Sequence, residues 1–127
     1  MSELNKIALK ILSNGKGILA ADESNGTMTK RLESVKVPSN PENRLLFRET
    51  LFSSSGMKDF IGGVILYDET INQTSSSKQT IPELISKSGA VPGIKVDTGA
   101  KILAGSHEEK ITEGLDEIGR ASCRERV

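Results

Sequence analysis

Three short apolar runs, each stopping abruptly at charged residues, constrain the possible fold of this chain more than any other feature. GILAA at Gly17–Ala21 ends in Asp22 and Glu23, the run at residues 64–67 ends in Asp68 and Glu69, and VPGIKVD carries Lys95 inside it and Asp97 at its end. An uninterrupted apolar run of this length between turn signals suits a strand covered on both faces, as in a parallel sheet. Helical patterns separate the runs. Leu4, Ile7, Ala8, Ile11 and Leu12 have the spacing of an amphipathic helix, which Ser13-Asn14-Gly15 terminates. A basic helix is expected over residues 27–35. Asn40 as N-cap with Pro41 behind it predicts another through ENRLLFRETLF, whose apolar side is Leu45, Phe47, Leu51 and Phe52. NQTSSSKQT is expected as a surface loop, and Pro82 opens a short helix, PELISK, that Gly89 closes.

Strands alternating with helices point to parallel βαβ units and an α/β fold. In such folds the carboxyl ends of the strands share one face, where ligands bind. Asp22-Glu23, Asp68-Glu69 and Lys95 with Asp97 are therefore expected around one pocket. The ordinary alternative is that charge at a strand exit marks the return of the chain to water. Asp68-Glu69, beside the long polar loop, is the pair that this alternative explains most readily.

Composition narrows the function. The 127 residues carry 17 basic and 17 acidic side chains, so no net field recruits nucleic acid or an anionic membrane. Three Phe and one Tyr are too few for a platform that stacks single-stranded nucleic acid. No apolar run is long enough to span a bilayer, and MSELNKIALKIL lacks the pattern of a secretory signal, so a cytoplasmic protein is expected. One cysteine, Cys123, and one histidine, His107, offer no metal-ligand spacing, and neither a metal nor a cofactor is expected. His107 is expected in an exposed loop.

Two local features carry chemistry. Ser24, Asn25, Gly26 and Thr27 place hydroxyls and backbone N–H groups at a helix start, with Lys30 and Arg31 one turn on, an arrangement that favours a phosphate but also describes many capped helices. Lys95 within an apolar strand loses hydration, and Asp97, two residues on and on the same side, can keep it charged. Such a lysine is a structural ion pair, a Schiff-base nucleophile or a substrate-binding cation.

Read together, GKGILAADES, KRL, ENR, FIGGVILYDET, PGIKVD and TEGLD resemble, in order and spacing, the N-terminal part of class I fructose-bisphosphate aldolases. The resemblance implies a (β/α)8 TIM barrel that cleaves fructose 1,6-bisphosphate reversibly through a lysine Schiff base. It implies that Asp22 is the active-site aspartate at the end of the first strand and that Lys95 is an active-site lysine supporting charge near the Schiff base without forming it. Asp97 is its companion. Thr27 stands where the family commonly has a phosphate-contacting serine, Ser24 belongs to the motif, and Arg31, with Lys30 beside it, and Arg44 match arginines associated with substrate phosphate. The implied partners are a phosphorylated sugar and further copies of the chain in a homo-oligomer, a tetramer by resemblance.

A complete barrel needs eight strands and roughly 250 residues, whereas this sequence offers about three strands. Residues 1–116 are accordingly expected to be the N-terminal portion of the barrel, inactive alone because the Schiff-base lysine lies beyond them. The alternative is a non-catalytic sugar-phosphate-binding or interaction module derived from that barrel. The tail EIGRASCRERV, residues 117–127, departs from the family pattern. From its second base on, a nucleotide string encoding it is a common sequencing-adapter sequence, so these residues are expected to be adapter read-through.

Overall fold

The computed structural model describes residues 2–115; the tail reading for residues 117–127 and Cys123 lie outside the described residues. Cα packing divides the chain into two units, Met1–Ile94 and Lys95–Val127.

The first unit is built on a three-stranded parallel sheet, order β1-β2-β3, with β1 at Gly17–Ala21, β2 at Ile61–Leu66 and β3 at Val91–Ile94. Ala21 is in register with Leu66, and Leu66 with Ile94, so all three strands leave the sheet at one level. Between and before these strands run the helices α1 (Glu3–Ile11), α2 (Asn25–Ser34), α3 (Pro41–Phe52), α4 (Met57–Phe60), α5 (Asp68–Ile71) and α6 (Ile81–Lys87). The expected α/β alternation is therefore present.

Capping chemistry sets the helix starts. Ser24 accepts the Thr27 N–H and starts α2 two residues earlier than expected, and Asn40 accepts the Asn43 N–H at 2.8 Å with Pro41 behind it. Thr80 and Glu83 form a reciprocal capping box at the start of α6, which therefore begins before Pro82. Beyond α6, Gly89 takes φ +89°, a conformation that favours a residue without Cβ. In the polar loop, Thr74 pairs with Thr80, and Ser76 N–H donates to Glu49 on α3 at 3.0 Å.

The core lies on one side of the sheet. Ala21, Val64 and Leu66 pack with Phe52, Met57, Ile81 and Ile85, all buried. Side chains alternate along a strand, so Ile18 and Ala20 project to the other side, where both are exposed. Among the described residues the first run is therefore covered on its Ala21 side, while its second face, expected to be covered too, is exposed at Ile18 and Ala20. Strand β2 is buried more fully, and its Gly62 admits α1 closely: a Cβ there would stand 1.8 Å from the Ile11 carbonyl oxygen.

The third run also departs from expectation. Strand β3 stops at Ile94 because β2, its only ladder partner among the described residues, turns into α5 after Leu66, leaving Lys95 just past the strand. In the second unit, β4 (Gly99–Ile102) and β5 (Lys110–Glu113) form an antiparallel hairpin that the apolar-run pattern does not anticipate. His107 is exposed in the connection between them, as expected.

Strand β1 is an outer strand of the sheet, and Ile18 on it is 54% exposed. Open edges beside apolar surface promote pairing between chains. The 127-residue chain purified alone is therefore expected to self-associate on heating, read as rising light scattering without a cooperative transition by circular dichroism. A sharp, reversible transition with no scattering would contradict this.

Candidate functional site

The exits of β1 and β2 lie side by side, and α3 runs behind both with two arginines on its inner face. Arg44, Arg48 and Phe52 recur every four residues and are all buried. Of the apolar side expected for this helix, Phe52 lies in the core and Leu45 packs against it, whereas Leu51 is 37% exposed and two guanidinium groups share the buried stripe.

Arg48 is fully buried. Its Nε donates to the Ala21 carbonyl at 3.1 Å and its Nη2 to the Glu23 carbonyl at 2.5 Å, with Glu23 Oε2 at 3.7 Å. The guanidinium carbon stands 6.0 Å from the centroid of the Tyr67 ring. Burial pushes this group below its ordinary value, opposed by the carboxylates of Glu23, Glu69 and Asp22. Nothing in the strand reading pointed to Arg48. Its four-residue offset from Arg44 and Phe52 was the available signal.

Arg44 is engaged in a different direction. Its Nε and Nη2 form a two-pronged pair with Glu69, at 2.8 and 2.6 Å, and Nη1 donates to the Ser39 carbonyl and hydroxyl at 3.1 and 3.2 Å. Arg44, expected at a substrate phosphate, is 8% exposed, and its donors meet Glu69 and Ser39. The bland reading of Asp68-Glu69 is corrected, since Glu69 anchors α5 to α3. Hydrogen bonding to Arg44 is the main cause that holds the Glu69 carboxyl below its ordinary value of 4.5.

The remaining candidates divide between the two units. In the first, Asp22 is half-buried on the turn between β1 and α2, and Glu23 bridges two arginines, Arg48 behind it and Arg31 on α2. Arg31 is half-exposed in this contact, and Lys30 beside it faces solvent. Ser24 and Thr27 meet at the start of α2, hydroxyl to hydroxyl at 3.2 Å. In the second, Lys95 Nζ donates to Asp97 Oδ1 at 2.8 Å, and Asp97 Oδ2 accepts the Gly99 N–H at 3.0 Å. Lys95 and then Gly99 hold the Asp97 carboxyl below the usual range. The expected neighbourhood of Lys95 and Asp97 is present, although on a turn instead of within a strand. Among the described residues no three His, Cys, Asp or Glu side chains gather as metal ligands would.

Parallel strands with aligned exits, joined through helices, are the architecture of α/β-barrel proteins, whose strand exits carry the loops that bind ligands. The family model for Fructose-bisphosphate aldolase class-I matches residues 3–125, and the chain belongs to that family. It is 47% identical over 121 residues to fructose-bisphosphate aldolase 2 of Caenorhabditis elegans, covering 95% of this chain and 33% of that protein. To the cytosolic fructose-bisphosphate aldolase 5 of Arabidopsis thaliana it is 47% identical over 123 residues, covering 97% and 34%. The solved fructose-bisphosphate aldolase of Plasmodium falciparum, in complex with TRAP and a small-molecule inhibitor, superposes with a TM-score of 0.86 at 41% identity, over 97% of this chain and 35% of that one. The chain thus spans about a third of the length of these relatives, and its three parallel strands are the first part of a (β/α)8 barrel.

The Arg44–Glu69 pair gives a pH signature. Because the folded value of Glu69 lies below 4.5, the pair stabilises fully above that pH and is lost as pH falls through the folded value. In the full-length protein, Glu69→Gln is expected to cost about 3 kcal/mol at neutral pH and progressively less in acid, read by urea unfolding. An equal cost at every pH would contradict the assignment.

Proposed function

We propose that the complete protein to which this chain belongs is a class I fructose-bisphosphate aldolase, which cleaves fructose 1,6-bisphosphate reversibly to dihydroxyacetone phosphate and glyceraldehyde 3-phosphate through a lysine Schiff base. The family match over residues 3–125, with Asp22 on the first strand-to-helix turn, is the observation that supports the reading best. Breaking a carbon–carbon bond in a doubly phosphorylated sugar needs a carboxylate near the reacting hydroxyls and cations placed for a phosphate.

In this proposal Asp22 is the catalytic carboxylate and Lys95, kept charged by Asp97, stabilises charge near the Schiff base. Ser24 and Thr27 receive a phosphate at the start of α2, where the helix dipole favours an anion, and Lys30 and Arg31 farther along the helix reach back to it with positive charge. Arg31 is held by Glu23 in the free protein, so the phosphate has to displace that carboxylate. Arg44 is proposed as a further phosphate-associated cation, held by Glu69 and Ser39 in the free protein. The Schiff-base lysine is proposed to lie on a later strand, so residues 1–116 alone are inactive. The proposed setting is the cytoplasm and glycolysis, supported by the cytosolic Arabidopsis relative; among the described residues no helix is long and apolar enough to cross a membrane. The proposed assembly is a homo-oligomer.

Residues 117–127 are proposed to be adapter read-through, so resequencing of the locus is expected to find different codons after Asp116. Native DNA encoding EIGRASCRERV would refute this.

Borohydride reduction of the full-length protein with dihydroxyacetone phosphate is expected to trap a covalent adduct. Its absence would favour a non-catalytic sugar-phosphate-binding module instead. Arg31→Ala is expected to raise KM for fructose 1,6-bisphosphate about tenfold or more, the worth of a hydrogen bond to a charged group. An unchanged KM would remove Arg31 from the phosphate site.

A further inference from the structure

A strand leaving a sheet leaves its last carbonyls without ladder partners, and buried carbonyls need donors from elsewhere. At the exit of β1 the donors come from α3. Ala21 is the last residue of β1 with a ladder partner, Leu66, and Glu23 begins the turn into α2. The carbonyls of these two residues flank Asp22, and both accept hydrogen bonds from the single buried guanidinium of Arg48. We infer that Arg48 is a positioning residue: by holding the carbonyls on either side of Asp22, it fixes the backbone that presents the Asp22 carboxylate. The inference rests on the proposed role of Asp22 as the catalytic carboxylate.

Residue type and burial both fit this task. Only the guanidinium offers several donors in one rigid plane, so it spans two carbonyls two residues apart while keeping its charge away from water. An ammonium at the same place is a point charge on a flexible stem. Burying the cation is costly, and Glu23 at 3.7 Å offsets part of that cost. Glu23 thereby has two tasks. It is the counter-ion of Arg48 behind the turn and the partner of Arg31 in front of it. A buried cation needs no contact with the exit of β1, as Arg44 illustrates one turn earlier on the same helix, its hydrogen bonds going to Glu69 and Ser39.

The test uses the full-length protein with Arg48→Met, Arg48→Lys and, as a comparator destabilised elsewhere, Met57→Ala, a truncation in the core. Arg48→Met is expected to lower kcat by about a hundredfold, the cost of a displaced reacting group, with KM changed less than about twofold. Arg48→Lys, which keeps the charge but not the fork, is expected to recover part of the loss, leaving kcat about tenfold low, and it decides the matter if Arg48→Met does not fold. Met57→Ala is expected to melt at lower temperature with kcat per folded molecule unchanged. A kcat within about twofold of wild type in the Arg48 variants, or losses that Met57→Ala reproduces at equal destabilisation, would overturn the positioning role alone. A wild-type protein that neither cleaves fructose 1,6-bisphosphate nor traps the adduct would overturn both this inference and the proposed function.

Discussion

A guanidinium taken fully out of water is the interaction on which the rest of the described structure turns. Arg48 holds the end of β1 through two carbonyls and meets a carboxylate on the same turn, so helix α3 is tied to the strand exit and cannot slide along the sheet. Arg44, one turn earlier, ties the same helix to α5 at the exit of β2. Two strand ends that would otherwise be loose loops are thereby referred to one rigid element. A buried charge pair contributes little net stability against an apolar equivalent. What it does supply is direction, since guanidinium forks bind their partners in one orientation.

The same helix explains why polar residues are tolerated beneath a small core. Phe52 continues the arginine stripe into the apolar cluster with Met57, Leu66, Ile81 and Ile85, so one face of α3 passes from charged at the strand exits to apolar farther along. The opposite sheet face, with Ile18 exposed, lacks such cover among the described residues. A chain spanning about a third of the length of its relatives accounts for that surface: in a closed barrel it faces the interior.

Much of the fold was legible in the sequence because its signals are local. The three apolar runs, the Asn40-Pro41 start and Gly89 depend on neighbouring residues only, and each element is found near its expected place. The misreadings share a cause. The end of β3 at Ile94 is set by where its partner β2 stops, and the cover of the second face of β1 by how a complete barrel closes. Both are tertiary facts. Hairpin β4–β5 escaped because its strands are short and largely exposed, without an apolar run to mark them.

The site was legible to a different degree. Motif letters placed Asp22 and Lys95 at strand exits, Ser24 and Thr27 at a helix start and Arg31 farther along that helix, and the Lys95–Asp97 contact followed from a spacing of two. Arg48 and Glu69 stayed hidden because their meaning lies in partners 25 residues away, which no local pattern encodes. The measurement that tests the account most directly is a crystal structure of the complete protein. The account predicts the Arg48 guanidinium on the carbonyls of Ala21 and Glu23, with Asp22 on the turn between them facing the barrel mouth. Arg48 turned to solvent, with those carbonyls bonded to other groups, would contradict it.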